Sequence, residues 1–375
     1  MAKKKTSVDK PGKLNASDIT KLLNKKAGRD VAYNLGESNP TEVKQWIPTG
    51  SRWLDSIICR GQLSGIPVGK ITEVAGLEST GKSYMAAQIA ANAQKMGIQV
   101  VYFDSESAID PSFLSKSGCD LDNLSYVQAA SVEFVLESIE AILEMGTQTL
   151  FIWDSLAFCP SEKDVEGDFN PQSSMAVKPR ILSKGMAKLI QPLANTQSTL
   201  LVLNQLKTNI ARTPAEALTT PYFTPGGKAM IYAYSLRIWL TGRKAKASFV
   251  LDDKGYRIGS EVKVKLEKSR FGTQGRICNF KILWGGDISI QDEESWLEAI
   301  KPSPRLKSAG AWYTLTDKGG KEYKFQTTTW LKELQKPEFR KAVLDVLDEE
   351  VILKFDKKEG DPSQFYDTDE IEEQE

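Results

Sequence analysis

Four short apolar runs set the frame of this chain, at 69–75, Ile98–Asp104, Thr149–Asp154 and Ser198–Asn204. Continuous runs of this length, rich in β-branched and aromatic residues, predict strands buried on both faces, as in a parallel sheet. Helix-forming stretches near 82–96, 131–144 and 178–195 separate them. That alternation predicts an α/β sheet with crossover connections. Three further strands are expected near 234–240, 261–266 and 277–283. Upstream, Ser17 is placed to cap an amphipathic helix whose apolar face is Ile19, Leu22 and Leu23 and which ends near Gly28. Val31–Leu35 reads as a short strand after it. Neither element has an evident core of its own, which suits docking on a neighbouring subunit. Beyond residue 296 the pattern becomes a small α+β unit. Its expected parts are a strand at Gly310–Tyr313, a turn at Asp317–Gly320, and helices near 327–335 and 337–348. The expected organisation is a basic tail and oligomerisation segment (1–46), a main domain (47–295), a small C-terminal domain (296–350) and an acidic disordered tail (351–375).

The first strand runs into Gly76-Leu77-Glu78-Ser79-Thr80-Gly81-Lys82-Ser83, a full G-x-x-x-x-G-K-[ST] match, and a helix follows. In that context the loop's backbone N–H groups and the helix N-terminus form an anion cradle. Gly76 and Gly81 let the backbone wrap closely. Lys82 reaches the β- and γ-phosphates and the Ser83 hydroxyl ligates Mg²⁺. The expected ligands are ATP and Mg²⁺.

Composition narrows the chemistry further. The 375 residues include no histidine, which excludes Ser-His-Asp and Cys-His catalysis and leaves a carboxylate as the expected general base. Cys59, Cys119, Cys159 and Cys278 form no C-x-x-C pair, so neither a zinc site nor a disulfide framework is indicated. No apolar run approaches the length of a membrane span, and the basic N-terminus lacks an apolar core. A soluble cytoplasmic protein is expected. Basic and acidic side chains balance at 49 each but not locally. Residues 1–30 carry nine basic against three acidic groups; residues 345–375 carry three against thirteen. Such tails either meet polyanions and compete with them or tune solubility.

Three strand ends bear polar groups: Asp104-Ser105-Glu106, Asp154-Ser155 and Asn204-Gln205. Ligands of open α/β sheets sit at the carboxyl ends of the strands, so all three can face the phosphate loop. Asp154 closes Leu150-Phe151-Ile152-Trp153, a Walker B pattern, and would hold Mg²⁺ through water. Glu106 is the expected general base and Gln205 a sensor of the γ-phosphate. Strand-end Asp residues also cap helices, and Asn-Gln also occurs in ordinary turns.

With these residues in place the chain resembles the RecA recombinase family. The resemblance is carried by Ile47-Pro48-Thr49-Gly50, Leu54-Asp55, Gly65-Ile66-Pro67-Val68-Gly69, the phosphate loop, Phe103-Asp104-Ser105-Glu106-Ser107-Ala108, Asp154-Ser155-Leu156 and Asn204-Gln205. It extends from about residue 17 to 350. Glu106-Ser107 and Glu267-Lys268-Ser269-Arg270 look closer to the UvsX-like bacteriophage branch than to bacterial RecA. The resemblance implies a RecA-like P-loop ATPase core with a central, mostly parallel sheet. It implies ATP bound by Gly76, Glu78, Ser79, Thr80, Gly81, Lys82 and Ser83. Adenine contacts map onto Asp110 and Phe113, with Trp284 a further stacking candidate, although both aromatics suit a core equally well. Lys268 and Arg270 match the basic pair that reaches the γ-phosphate of an adjacent subunit. Two DNA-binding loops fall at about 164–176 and 206–227, with Met175, Lys207, Arg212, Gly226 and Gly227 as candidate contacts. Loops this long in compact domains are functional or disordered. Residues 228–276, with twelve basic and four acidic side chains, offer a possible electrostatic track.

The function implied is a DNA-dependent ATPase that forms helical filaments on single-stranded DNA and exchanges strands with a homologous duplex. Implied partners are single-stranded DNA, double-stranded DNA, other copies of the chain, a single-strand-binding protein and a recombinase loader, but no membrane. A ring-forming helicase shares the core, but the N-terminal segment and C-terminal unit weigh against it. An ATP-switched mediator is weighed against by the complete set of Lys82, Ser83, Glu106 and Asp154. A nucleotide kinase would need a lid that is not evident.

Overall fold

The computed structural model describes residues 15–28, 30–36, 39, 41–166, 177–209, 221–242, 248–284 and 290–354. Met175, Arg212, both charged tails and most of the two expected DNA loops lie outside the described residues. The chain forms two compact units, residues 1–44 and 45–375.

In the first unit, α1 (Ala16–Ala27) is capped by Asn15 rather than Ser17: the Asn15 side chain accepts from the Asp18 N–H at 2.8 Å. Gly28 closes the helix in the left-handed conformation that a C-terminal glycine allows. The strand expected at Val31–Leu35 is not formed. A strand needs a partner's ladder, and here the backbone of Val31 and Ala32 is held by the Asn24 side chain instead. Ile19, Leu22, Leu23, Val31, Tyr33 and Leu35 remain exposed.

The second unit is built on a ten-stranded sheet. Its elements begin with β1 (Trp46–Ile47), α2 (Arg52–Ile58), β2 (Ile66–Pro67), β3 (Ile71–Gly76), α3 (Lys82–Lys95), β4 (Gln99–Asp104), α4 (Pro111–Lys116) and β5 (Leu124–Gln128). Then come α5 (Val132–Glu144), β6 (Thr149–Asp154), α6 (Glu162–Glu166), α7 (Val177–Thr196), β7 (Thr199–Gln205), β8 (Lys207–Thr208), β9 (Tyr222–Phe223), α8 (Lys228–Ala233) and β10 (Leu236–Gly242). The order across the sheet is β14-β13-β12-β10-β3-β7-β6-β4-β5, where β11 (Phe249–Leu251) pairs with β12 (Arg257–Ser269), and β13 and β14 are Ile277–Leu283 and Ile290–Gln291. From β10 to β5 all neighbours are parallel; β12 to β14 run antiparallel. The seven strands expected between residues 69 and 283 are therefore present in this sheet, while β5, β11, β14 and α4 were not foreseen. The parallel topology brings the carboxyl ends of β3, β4, β6 and β7 to one edge.

Two apolar layers cover the sheet. On one face α3 packs through Met85, Ala86, Ile89, Ala90 and Ala93, and the three alanines let it lie close to the strands. On the other, α5 and α7 pack against Phe151, Trp153, Leu200 and Val202. The C-terminal region has α9 (Trp296–Ile300), the sheet β15 (Leu306–Ala309), β16 (Trp312–Thr316) and β17 (Glu322–Gln326), and α10 (Trp330–Leu334) and α11 (Pro337–Val346). Gly310 and Ala311, expected in a strand, form the turn between β15 and β16. Leu315, Phe325, Trp330 and Phe339 belong to the same apolar cluster as Val74 and Ile282 of the main sheet. All four cysteines are buried and unpaired. No described helix is long and apolar enough to cross a membrane.

Candidate active site

The phosphate loop leaves β3 at Gly76 and turns through two positive-φ residues, Ser79 (56°) and Gly81 (85°). A Cβ at Gly76 would stand 3.1 Å from the Leu240 carbonyl oxygen and closer still to Thr80 Oγ1, so the site demands glycine. Thr80 Oγ1 donates back to the Leu77 carbonyl at 2.8 Å and closes the turn. Lys82 Nζ donates to the Leu77 and Gly76 carbonyls at 3.1 and 3.4 Å. Burial pushes its pKa down, while Asp154, Glu106 and Glu78 pull it up.

Opposite the loop, Ser83 Oγ donates to Asp154 Oδ2 at 2.8 Å, and the Tyr102 hydroxyl donates to the same oxygen at 2.8 Å. Burial raises the Asp154 pKa, the hydrogen bonds from Tyr102 and Ser83 lower it, and Glu106 and Asp104 raise it further. The expected Mg²⁺ fits this site. The one Ser and the one Asp that would face it are already in contact, and the surplus negative charge is what a divalent cation neutralises.

Asp104 does not line the cleft. Its carboxylate accepts from the N–H groups of Glu106 (2.9 Å), Ala108 (3.1 Å) and Ile109 (3.2 Å) and from the Tyr126 hydroxyl (3.0 Å). It folds the 105–109 segment so that Glu106 projects toward Asp154. The Ser155 hydroxyl, following a cis Asp154–Ser155 peptide, donates to Glu106 Oε1 and fixes the carboxylate. Gln205 ends β7 beside Gly76, its register partner.

These groups share one cleft of about 410 Å³, lined by Glu78, Ser79, Gly81, Lys82, Ser83, Tyr84, Glu106, Asp154, Gln205 and Trp284. That size is ordinary for a small-molecule site. Tyr84 was not anticipated. Its hydroxyl donates to the Trp284 carbonyl and its ring meets Phe113 edge-on at 4.6 Å. Trp284 reaches the cleft, but its ring is faced by the Arg257 guanidinium at 4.4 Å, so that face is already stacked. Asp110 caps α4 through the Ser112 N–H, and Phe113 packs on the core; neither lines the cleft. The available signal for Tyr84 was its place directly after the phosphate loop, in the first turn of α3.

Lys268 and Arg270 also stand outside the cleft lining. Lys268 Nζ donates to the Ile231 and Tyr232 carbonyls at 2.7 and 3.3 Å, and Arg270 Nη2 to the Tyr232 carbonyl at 2.9 Å. Both cations thus sit at the C-terminal end of α8, where free carbonyls attract positive charge. Lys207 is exposed on β8, which pairs with β9 as a short antiparallel ladder. Gly226 and Gly227 both take positive φ, 109° and 83°, immediately before α8.

The sequence model of the RecA N-terminal domain matches residues 15–289. Protein RecA of Fusobacterium nucleatum subsp. nucleatum is 32% identical over 318 residues, which cover 84% of this chain and 80% of that protein. A phosphate loop facing Asp154 and Glu106 on a ten-stranded, mostly parallel sheet, together with these matches, makes the chain a member of the RecA family.

Proposed function

We propose that this chain is an ATP-dependent DNA recombinase that polymerises head to tail on single-stranded DNA and pairs that strand with a homologous duplex. One observation carries the reading. The cleft gathers Lys82, Ser83, Asp154 and Glu106, while the two cations expected at a γ-phosphate, Lys268 and Arg270, lie elsewhere on the same chain. A site so divided is completed by the next subunit, and hydrolysis then reports assembly.

In the completed site the loop N–H groups and Lys82 hold the β- and γ-phosphates. Ser83 and Asp154 are the residues that would hold Mg²⁺, and the cation would offset phosphate charge there. Glu106, oriented by Ser155, takes the proton of the attacking water. Gln205 touches the γ-phosphate side and carries its state toward residues 206–227. The neighbour's Lys268 and Arg270 stabilise charge in the transition state, a contribution of roughly 10³–10⁵ in rate for such cations. Lys207 and the backbone at Gly226 and Gly227 contact the strand, as do Met175 and Arg212; backbone and basic contacts suit sequence-independent binding. Adenine lies toward Tyr84 and the open side of Trp284, while Asp110 and Phe113, which stand outside the cleft lining, would act only by supporting Tyr84 and its surroundings.

The exposed apolar side chains of α1 and of 31–35 are read as the clip onto the neighbouring copy. Glu106-Ser107 and Glu267–Arg270 support the UvsX-like phage branch, which would place the protein in a host cytoplasm with a single-strand-binding protein and a loader. The deciding experiment is ATP hydrolysis with and without single-stranded DNA, coupled to strand exchange on homologous and heterologous duplexes. Stimulated hydrolysis with homology-dependent exchange is expected. Hydrolysis without homology-dependent pairing would overturn the recombinase reading.

A further inference from the structure

The second loop returns to the sheet at Thr224–Pro225, and two buried side chains grip it there. Glu73 lies within β3, three positions before Gly76, and is wholly buried. Its Oε2 accepts from Arg237 Nε of β10 at 2.6 Å and its Oε1 from Asn204 Nδ2 of β7 at 3.0 Å. Each donor then reaches onward. Arg237 Nη2 donates to Thr224 Oγ1 at 2.9 Å, and Asn204 Nδ2 donates to the Pro225 carbonyl at 3.0 Å. The Asn204 Oδ1 accepts the backbone N–H of Gln205 at 3.0 Å, so the amide's orientation is fixed at both ends.

A buried ion pair is a poor source of stability, because desolvation offsets most of its attraction. The three strands are already joined by their backbone ladders at these positions. What the side chains add is a specific connection: one carboxylate under the phosphate loop aims two donors at consecutive residues of the loop's end. One of those donors also holds the backbone of the residue proposed to sense the γ-phosphate.

We infer that Glu73, Asn204 and Arg237 are positioning residues that tie the end of the second loop, Thr224–Pro225, to the γ-phosphate side of the cleft at Gln205, so that strand binding at the loop and ATP hydrolysis influence each other through them. The inference rests on the DNA-dependent ATPase reading above. A shift of Gln205 moves the Asn204 amide, and that amide moves Pro225; an ordered loop end holds Gln205 in turn. Coupling between two binding sites typically spans about 5- to 150-fold and is reciprocal in affinity, whereas its effect on the hydrolysis rate need not be symmetric.

Arg237→Lys keeps a positive charge beside Glu73 but has no forked group to bridge Glu73 and Thr224. Thr224→Val removes the acceptor hydroxyl at nearly constant shape, and Thr224→Ser restores it. ATP affinity and hydrolysis with and without single-stranded DNA are measured on each. Arg237→Lys should keep ATP affinity and the DNA-free rate within about twofold. The ratio of DNA-stimulated to DNA-free rate should fall at least about fivefold in Arg237→Lys and Thr224→Val and persist in Thr224→Ser. A stimulated parent whose variants keep the parental ratio overturns this inference alone. A parent that DNA does not stimulate overturns the functional reading with it. Should Arg237→Lys fail to fold, Thr224→Val and Thr224→Ser decide, since Thr224 is only partly buried.

Discussion

Lys82 is held by the carbonyls of its own loop, so phosphate binding exchanges partners for an ammonium that is already in place. Lys82→Ala should abolish ATP binding, measured by calorimetry. Glu106→Gln keeps shape and loses basicity, so binding should persist while hydrolysis slows by about 10²–10⁴; an unchanged turnover would remove Glu106 as base. Asp55 gives a stability prediction. Burial, opposed by hydrogen bonds from Thr49 and reinforced by Asp292, raises its pKa to about 8. The folded chain then retains a proton that the unfolded chain releases above its ordinary carboxylate range. Its stabilising effect is full below that range and is lost as pH climbs to about 8, by up to about 1.4 kcal/mol per pH unit. The urea midpoint should fall between pH 5.5 and 8, and Asp55→Asn should flatten that slope. Lys82, Ser83, Glu106 and Asp154 were legible in the sequence because each belongs to a contiguous motif or closes an apolar run. Glu73 and Arg237 were not: they are 164 positions apart, and only the sheet's strand order makes them neighbours.

Elements were legible where burial is two-sided. β3, β4, β6 and β7 are nearly continuous apolar runs because both faces are covered. β5 has two half-buried positions and an exposed edge, so Leu124–Gln128 gave no comparable pattern. The alternation Val31, Tyr33, Leu35 read as strand, yet a strand is defined by a partner's hydrogen bonds as well as its own side chains. If these apolar positions and the Leu22 face of α1 meet a second copy, Leu22→Asp or Leu35→Asp should abolish filaments in electron microscopy. Monomeric ATP affinity should stay within about twofold, since residues 45–375 form their own compact unit. Persistent filaments would reject the clip.

For the molecule as a whole, the compositional change near residue 296 does not coincide with a break in packing. Leu315, Phe325 and Phe339 continue the apolar cluster of the main sheet, and Arg52 pairs with Asp348 across it. Residues 45–354 should therefore unfold in one calorimetric transition; two separated transitions would show independent domains. Assembly carries the remaining prediction. Mixtures of Lys268→Ala and Lys82→Ala subunits should recover some DNA-dependent hydrolysis, because an interface can then combine an intact loop with an intact cationic pair. No recovery at any ratio would count against a site shared between copies.

The four buried cysteines have a practical consequence. Burial raises the thiol pKa of each, so a folded chain presents almost no thiolate to an alkylating reagent. Cys59 follows α2, Cys119 packs on α3, Cys159 follows β6 and Cys278 lies in β13. Labelling at each position becomes a clock for the opening of its own neighbourhood. Nucleotide added to the reaction should slow the clocks at Cys119 and Cys159, next to the phosphate-binding helix and the Asp154 strand, more than the one at Cys59.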